Sequence, residues 1–202
     1  MGKWYEVKLS RLLPVVGCVV VLVGVGFFLS TRVMQKEEVE VPAVKSREVS
    51  LEGFEVRGPA LGKGKEVILI ANPSCSACKR FVPEILKRLK GYSLYYKHVR
   101  YRSEGDELER AIECVRQRKG DLFWDFLKMC HSHPTQALNW LSRRTSPDFV
   151  RRCLLDQEVA AVLREDDRQV RKIGVSAIPA IILEGELYQG GLAIKQALFG
   201  GE

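Results

Sequence analysis

The sequence lacks internal repeats and low-complexity tracts, which excludes repeat and fibrous architectures. It also lacks a clustered basic patch, because its 32 lysines and arginines are interspersed with acids, as in residues 164–168 (REDDR). The net charge of +7 therefore indicates a solvated surface, and we expect no nucleic-acid partner. A chain of 202 residues accommodates one well-packed domain and a short appendage, but not two full domains.

Charged residues are absent between residues 12 and 29. As a helix this segment would span about 27 Å, close to the hydrocarbon thickness of a bilayer. Lys3, Lys8 and Arg11 precede it with Glu6 as the single acid, so the positive-inside bias favours a cytoplasmic N-terminus. We therefore expect one transmembrane helix in a single-pass protein of the cell inner membrane. Its C-terminal domain would lie in the periplasm or otherwise outside the cytoplasm.

A cleaved signal peptide is the alternative interpretation of the same apolar segment. An A-x-A-like cleavage site does not follow the segment, and this absence favours an uncleaved anchor. The predicted organisation is an anchor or signal in residues 1–30, a charged tether in residues 31–47, and a globular domain in residues 48–202.

Six cysteines in an exported chain indicate an oxidising compartment, in which disulfides persist. One of them lies in the apolar segment, which leaves an odd number in the exported part: Cys75, Cys78, Cys114, Cys130 and Cys153. At least one of these is unpaired when the others are bridged. The last three can form any one of three single bridges, or all three can be small buried hydrophobic residues.

The pattern of apolar residues in the exported part predicts an α/β fold. Residues 66–71 (EVILIA) are typical of a central strand that is buried on both faces. Ser74 is the expected N-cap of a helix that follows from Cys75 to about Lys90. The remaining expectations are strands at 49–56 and 94–101, three or four helices within about 105–173 with breaks near Gly120, Pro134 and Pro147, a hairpin of 180–183 with 187–189, and a last helix.

Cys75 and Cys78 form a C-x-x-C motif at the predicted junction between the buried strand and its helix. Two cysteines three residues apart on one helix face can form a disulfide across the first turn. The helix N-terminus favours a thiolate at Cys75, so Cys75 is the expected exposed attacking sulfur and Cys78 the resolving one. Both are the candidate catalytic residues.

Two other uses of these cysteines are possible. A static disulfide gains little stability from closing so small a loop. Zinc is the second possibility, because Cys75, Cys78, Cys130 and His133 have the letter pattern of a Cys₃His site. The long gap between the two pairs and the oxidising compartment disfavour zinc, and we expect no metal. His131 and His133 are then expected to form a polar turn before Pro134.

A second motif ends in Ile178-Pro179, directly before an apolar strand. An X-Pro bond is the only peptide bond with an appreciable cis population. An ordinary trans-proline at the start of an edge strand is the alternative. With a C-x-x-C motif upstream, we expect a cis-proline loop instead.

These segments together resemble the bacterial DsbA-type thiol–disulfide oxidoreductases. The resemblance rests on residues 72–81 (NPSCSACKRF), 120–126 (GDLFWDF) and 174–179 (GVSAIP), and it covers about residues 50–200. It implies a thioredoxin fold with an inserted helical domain, enzymatic action on cysteines of exported proteins, and a membrane redox partner. It also implies that Ile178 and Pro179 bind the substrate backbone. No cofactor is expected.

Two departures from the family leave the direction of electron flow open. Ser76-Ala77 replaces the Pro-His dipeptide of typical DsbA oxidases, and Leu69 stands where thioredoxin and DsbA carry a buried acid. A disulfide donor is the leading hypothesis, and a reductase or isomerase is the alternative. Residues 31–48 leave no room for the dimerisation domain of DsbC-type isomerases, so we expect a monomer.

Two further expectations follow from the same comparison of motifs. A copper-binding module is a non-enzymatic alternative, but copper carriers tend to add thioether or His ligands, and no Met lies near the motif. DsbA-type relatives often carry cysteines at the positions that Cys114 and Cys153 resemble, and some bridge them. The resemblance therefore implies a structural disulfide between Cys114 and Cys153.

Overall fold

The computed structural model describes residues 46–100 and 106–200. The predicted transmembrane segment, residues 12–29, and the tether up to residue 45 lie outside the described residues. The choice between an uncleaved anchor and a cleaved signal peptide concerns the same segment and is therefore not addressed by the structure. Among the residues that are described, no helix is both long enough and apolar enough to cross a membrane.

The described residues contain one mixed sheet of six strands in the order β1-β6-β5-β3-β4-β2. Its central strand β3 runs parallel to β4 and antiparallel to β5, and its last five residues are buried, as predicted for a strand covered on both faces. The strands are β1 (Ser46–Glu48), β2 (Leu61–Gly62), β3 (Lys65–Ala71), β4 (Tyr92–His98), β5 (Ala180–Leu183) and β6 (Glu186–Gln189).

Seven α-helices lie in the described part of the chain, together with a 3₁₀ turn at Gly120–Leu122. One helix connects β3 to β4, five lie between β4 and β5, and the last follows β6. They are α1 (Ser76–Arg88), α2 (Asp106–Arg118), α3 (Phe123–Ser132), α4 (Pro134–Arg144), α5 (Pro147–Leu155), α6 (Gln157–Lys172) and α7 (Gly191–Phe199).

The helical insertion contains five α-helices, where the sequence pattern predicted three or four. The expected breaks at Gly120, Pro134 and Pro147 are present, and Asp156 adds another. Its carboxylate accepts hydrogen bonds from the backbone N–H groups of Glu158 (2.8 Å) and Val159 (3.3 Å). Asp156 is therefore the N-cap of α6, and the cap separates α6 from α5.

The strand predicted at residues 49–56 is wrong, because these residues form no strand; the first strand of the described residues is β1, which pairs with β6. Its residues Ser46 and Arg47 fall within the segment that was predicted to be tether. After β1 the chain turns, since the N–H of Phe54 donates to the carbonyl of Leu51 and Gly53 has a φ of +70°. A backbone in this left-handed conformation cannot continue an extended strand.

Each face of the sheet is covered by a separate hydrophobic core. On one face, Leu69 of β3 and Leu94 of β4 belong to a core that also contains residues of α1 and of the insertion helices α2 and α3. On the other face, Ile70 of β3 and Ile182 of β5 pack with Val170 of α6. The result is an α/β sandwich whose central strand delivers its carboxyl end to the junction with α1, where the C-x-x-C motif lies.

A buried ion pair ties α6 to the second face of the sheet. Lys97 of β4 donates to Asp166 (2.6 Å) and to Gln169 (2.9 Å), and its side chain is almost fully buried. Burial lowers the pKa of Lys97, and the hydrogen bond to Asp166 opposes this shift. Because removing either partner would leave an uncompensated buried charge, the pair holds α6 in one position against β4.

Candidate active site

The turn between β3 and α1 is built around Asn72. The side-chain oxygen of Asn72 accepts the N–H of Ser74 (2.7 Å), and its backbone carbonyl accepts the N–H of Cys75 (3.1 Å). The amide nitrogen of the same side chain donates to the carbonyl of Val99 (2.8 Å), which fixes the turn to the end of β4. The side chain is fully buried, so these bonds are shielded from water.

The first helical residue after this turn is Ser76, and the N-cap is Cys75 rather than the predicted Ser74. Cys75 has extended backbone angles, and its sulfur accepts the backbone N–H of Cys78 at 3.3 Å. The reactive sulfur therefore occupies the position at which a capping side chain satisfies a free N–H of the first turn. A negative charge on this sulfur is stabilised by that N–H and by the helix dipole.

The two cysteines of the motif are unbridged and occupy different environments. Cys78 is fully buried in the core, and burial raises the pKa of its thiol. A hydrogen bond from the backbone N–H of Asn72 opposes this rise only in part. The sulfur of Cys75, by contrast, lies between the N–H of Cys78 and the cis-proline loop. This arrangement leaves Cys78 as a protonated thiol when the pair is reduced.

The loop that ends in Pro179 lies against Cys75. The Ile178–Pro179 peptide bond is cis, and the carbonyl oxygen of Ile178 is 3.7 Å from the Cys75 sulfur. The loop is one reason why Cys75 is only 3% exposed, where the sequence predicted an exposed sulfur. The structure thus brings together Cys75, Cys78, Ile178 and Pro179, which are separated by about a hundred residues in sequence.

A buried polar cluster near the motif was not predicted from the sequence. Besides its backbone contacts, Asn72 donates to a carboxylate oxygen of Glu109 on α2. The other oxygen of Glu109 lies 3.4 Å from Nε2 of His98, and both side chains are about 5% exposed. Glu109 belongs to a charge-rich helix whose sequence predicts a solvent-exposed surface. Only the three-dimensional contact with Asn72 distinguishes Glu109 from the other acids of this helix.

Cys114 of α2 and Cys153 of α5 form a disulfide with a Cα–Cα distance of 5.5 Å. The bridge lies in a small hydrophobic cluster with Val159 and Leu163 of α6. It therefore links α2 to α5 covalently and packs against α6. Cys130 is free and fully buried, and burial raises the pKa of its thiol.

The residues of the possible zinc pattern have dissimilar surroundings. Cys130 is buried in the core, whereas His133 is exposed at the end of α3. Within residues 46–100 and 106–200, no three His, Cys, Asp or Glu side chains are grouped as metal ligands would be. The expected polar turn is correct for His133 but wrong for His131, which is 1% exposed. Burial lowers the pKa of His131 to about 3, with a contribution from Lys79.

A groove of about 300 Å³ lies beside the proline loop. One wall is the loop itself, from Val175 to Ile178, and the other is formed by the end of β4 and by α6. Ile178 lines this groove, and its carbonyl also contacts the sulfur of Cys75.

Comparison with solved structures places this geometry among known proteins. BdbD from Bacillus subtilis, in its oxidised form, is 21% identical, with a TM-score of 0.59 over 77% of this chain and 96% of its own. The thiol-disulfide exchange protein alpha-DsbA2 from Wolbachia pipientis is 15% identical, with a TM-score of 0.60 over 72% and 87%. A periplasmic thioredoxin-like protein from Salmonella enterica serovar Typhimurium is 16% identical, with a TM-score of 0.51 over 70% and 90%.

These likenesses confirm the predicted fold, a thioredoxin fold with an inserted helical domain. No protein-family model matches the sequence, and no curated protein matches it.

Proposed function

We propose that this protein is a thiol–disulfide oxidoreductase in which Cys75 and Cys78 are the redox pair. The observation that carries the proposal is the contact of Cys75 with both the N–H of Cys78 (3.3 Å) and the carbonyl of Ile178 (3.7 Å). One sulfur thus lies between a stabilising donor and a backbone segment that an extended substrate can pair with. The Wolbachia neighbour, described as a thiol-disulfide exchange protein, supports this assignment.

The reaction begins with the oxidised Cys75–Cys78 pair. A substrate thiolate attacks the sulfur of Cys75, a mixed disulfide forms, and the electron pair of the broken bond passes to Cys78, which takes up a proton. A second substrate thiolate then attacks the substrate sulfur of the mixed disulfide and releases Cys75 as a thiolate. Two electrons pass from the substrate to the protein, and the substrate gains one disulfide.

Disulfide donation is the proposed direction. Stabilisation of the reduced form makes a pair more oxidising, because reduction then yields a lower-energy product. The hydrogen bond from the N–H of Cys78 to the sulfur of Cys75 (3.3 Å) supports this direction, although the Pro-His dipeptide of typical donors is absent. Transfer in the opposite direction, with a membrane partner that keeps the pair reduced, is the alternative.

We further propose that the protein acts on exported proteins and is held by residues 12–29 in the membrane. The Salmonella neighbour, described as periplasmic, supports an exported location. A membrane redox partner would then reoxidise the pair after each transfer. No second subunit enters the proposed mechanism, so a monomer suffices.

The test measures disulfide transfer and its equilibrium in one preparation. Oxidised protein is mixed with a reduced peptide that carries two cysteines, and alkylated samples are separated by mass. A donor should oxidise the peptide, and equilibration with glutathione should give a potential well above that of thioredoxin, with each 30 mV equal to about tenfold in the equilibrium constant. A potential near that of thioredoxin would favour the reductase, and no transfer would contradict the oxidoreductase.

A further inference from the structure

The loop before Pro179 is held in place by one side chain from the neighbouring strand. The side-chain oxygen of Gln189, the last residue of β6, accepts the backbone N–H groups of Ser176 (2.7 Å) and Ala177 (3.0 Å). It also lies 3.2 Å from the hydroxyl of Ser176, which can donate to it. One oxygen therefore binds three donors of a segment that has no regular secondary structure.

The sheet brings Gln189 to this place. β5 and β6 are antiparallel, and Gln189 pairs with Ala180, the residue after Pro179. The next residue, Gly190, donates its N–H to the carbonyl of Pro179 (2.8 Å). Gln189 thus lies on a strand that is hydrogen-bonded to the residues after the loop. From this position its side chain reaches the backbone of Ser176 and Ala177 directly.

These bonds leave the residue nearest the redox pair available. Ser176 and Ala177 direct their N–H groups to Gln189, whereas the N–H of Ile178 donates no hydrogen bond to any of the described residues. The carbonyl of Ile178 accepts a hydrogen bond from the thiol of Cys75 at 3.7 Å, and this bond is lost when Cys75 enters a disulfide. In the oxidised pair Ile178 would then offer one free donor and one acceptor beside the reactive sulfur, which an extended peptide requires for strand-like pairing.

We propose that Gln189 is a positioning residue that fixes Ile178 for binding of the substrate backbone. It does not touch the reacting sulfurs and takes no part in the exchange step itself. Its contribution is to hold two residues of an exposed loop in the bound conformation before substrate arrives, which reduces the ordering cost of binding. The inference rests on the proposed function, because it assigns a role in that same site.

A purely structural role predicts something different. If Gln189 only stabilised the fold, its loss would lower the melting temperature and affect every reaction of the redox pair equally. If it positions Ile178, its loss weakens the binding of peptides but spares reduction by a small dithiol, which needs access to Cys75 and no backbone pairing. The two roles are separable by the choice of reductant.

The test compares Gln189→Met, which has a similar length and no oxygen, with Gln189→Glu, which keeps the acceptor. The Cys75–Cys78 disulfide is reduced either with a cysteine-containing extended peptide or with dithiothreitol. The extent of reduction is measured by alkylating the free thiols. For Gln189→Met we expect the half-saturating peptide concentration to rise about tenfold, because the two hydrogen bonds that hold the backbone of the loop are lost. The maximal rate, the dithiothreitol rate and the redox potential should stay within twofold of wild type.

Gln189→Glu should restore the half-saturating concentration to within about threefold of wild type, since its carboxylate accepts the same N–H groups. Gln136→Met makes the same chemical change at an exposed position of α4 and should leave all values unchanged. If Gln189→Met does not fold, Gln189→Asn, which withdraws the oxygen by one carbon, replaces it in the comparison.

The inference would be overturned if Gln189→Met, or Gln189→Asn in its place, had the same half-saturating peptide concentration as wild type. It would also be overturned if the rates of reduction by peptide and by dithiothreitol fell by the same factor. Both outcomes require a wild type that exchanges disulfides. A wild type that is reduced by neither peptide nor dithiothreitol would instead contradict the proposed function, so the two failures are distinguishable.

Discussion

Cys75 and Cys78 share one turn of α1, yet the fold gives them opposite chemical tendencies. Cys75 caps the helix and accepts an N–H, whereas Cys78 is fully buried and burial raises the pKa of its thiol. Cys75 also contacts the carbonyl of Ile178, in the loop proposed to bind substrate. Cys75 is therefore predicted to be the sulfur that forms the mixed disulfide with substrate.

Cys75→Ser should abolish dithiol–disulfide exchange, because no sulfur remains at the helix N-terminus. Cys78→Ser should instead accumulate mixed disulfides when Cys75 attacks a disulfide-bonded peptide and expels one peptide thiolate, because Cys78 is then absent and cannot attack the Cys75–peptide bond to release the peptide. Non-reducing electrophoresis after incubation with the disulfide-bonded peptide measures both outcomes. The control is Cys130→Ala, which removes the third free cysteine of the described residues and should keep exchange activity. Full activity of Cys75→Ser would contradict the mechanism.

His131 predicts a pH dependence of stability. Its folded pKa of about 3 lies below the unfolded value of 6.5, so the unfolded chain binds a proton that the folded protein excludes. Stability is therefore unaffected by this residue above pH 6.5 and declines as the pH falls toward 3. Between pH 7 and pH 5 the loss should be about 2 kcal/mol.

Chemical unfolding at the two pH values measures this loss. His131→Leu, whatever its stability at pH 7, should lose about 2 kcal/mol less than wild type on going to pH 5. His133→Leu changes an exposed histidine two residues away and should keep the wild-type dependence. An unchanged slope in His131→Leu would show that His131 is protonated in the folded protein.

At the level of elements, the periodic segments were predictable and the side-chain contacts between them were not. The apolar run of β3, the hairpin of β5 and β6 and the proline breaks of the insertion are local signals, and each is present in the structure. Asp156 as a cap was missed because Leu155 and Gln157 continue a helical pattern on both sides. Gln189 and Glu109 act through residues 12 to 37 positions away, which local patterns do not report.

The disulfide between α2 and α5 is expected to stabilise the helical insertion. Cys114 and Cys153 are 39 residues apart, and closing a loop of this length is worth about 4 kcal/mol in the chain-entropy model. The double variant Cys114→Ala with Cys153→Ala should therefore unfold at lower denaturant concentration, while the β-sheet and the redox pair stay intact. Non-reducing peptide mapping of the wild type should recover the two cysteines in one bridged fragment.

A bridge from Cys130 to either partner would contradict this pairing. Equal denaturation midpoints of wild type and double variant would contradict its stabilising role. The redox pair provides an internal control, because its exchange activity at low denaturant should be the same in both proteins.

For the whole molecule, the decisive question is on which side of a membrane the redox pair works. Structural disulfides such as Cys114–Cys153 are typical of oxidising compartments, and the proposed disulfide donor would find its substrates there. Residues 12–29 carry no charge and are long enough for one crossing, with basic residues on their N-terminal side. These features are the basis of the proposal that the protein is anchored in a membrane and that its globular domain is exported.

Fractionation of producing cells tests this arrangement. The full chain should remain in the membrane after a high-salt wash, because an apolar segment of this length is retained by the bilayer and not by surface charge. Protease added to cells with a permeabilised outer envelope should digest the globular domain, since the positive-inside bias places the N-terminus in the cytoplasm. As a control, replacing Leu22 and Val23 with two arginines should release the protein from the membrane, because charges are costly at the centre of the segment. A soluble wild-type product that begins near residue 31 would instead identify the segment as a cleaved signal, with the same exported domain and no anchor.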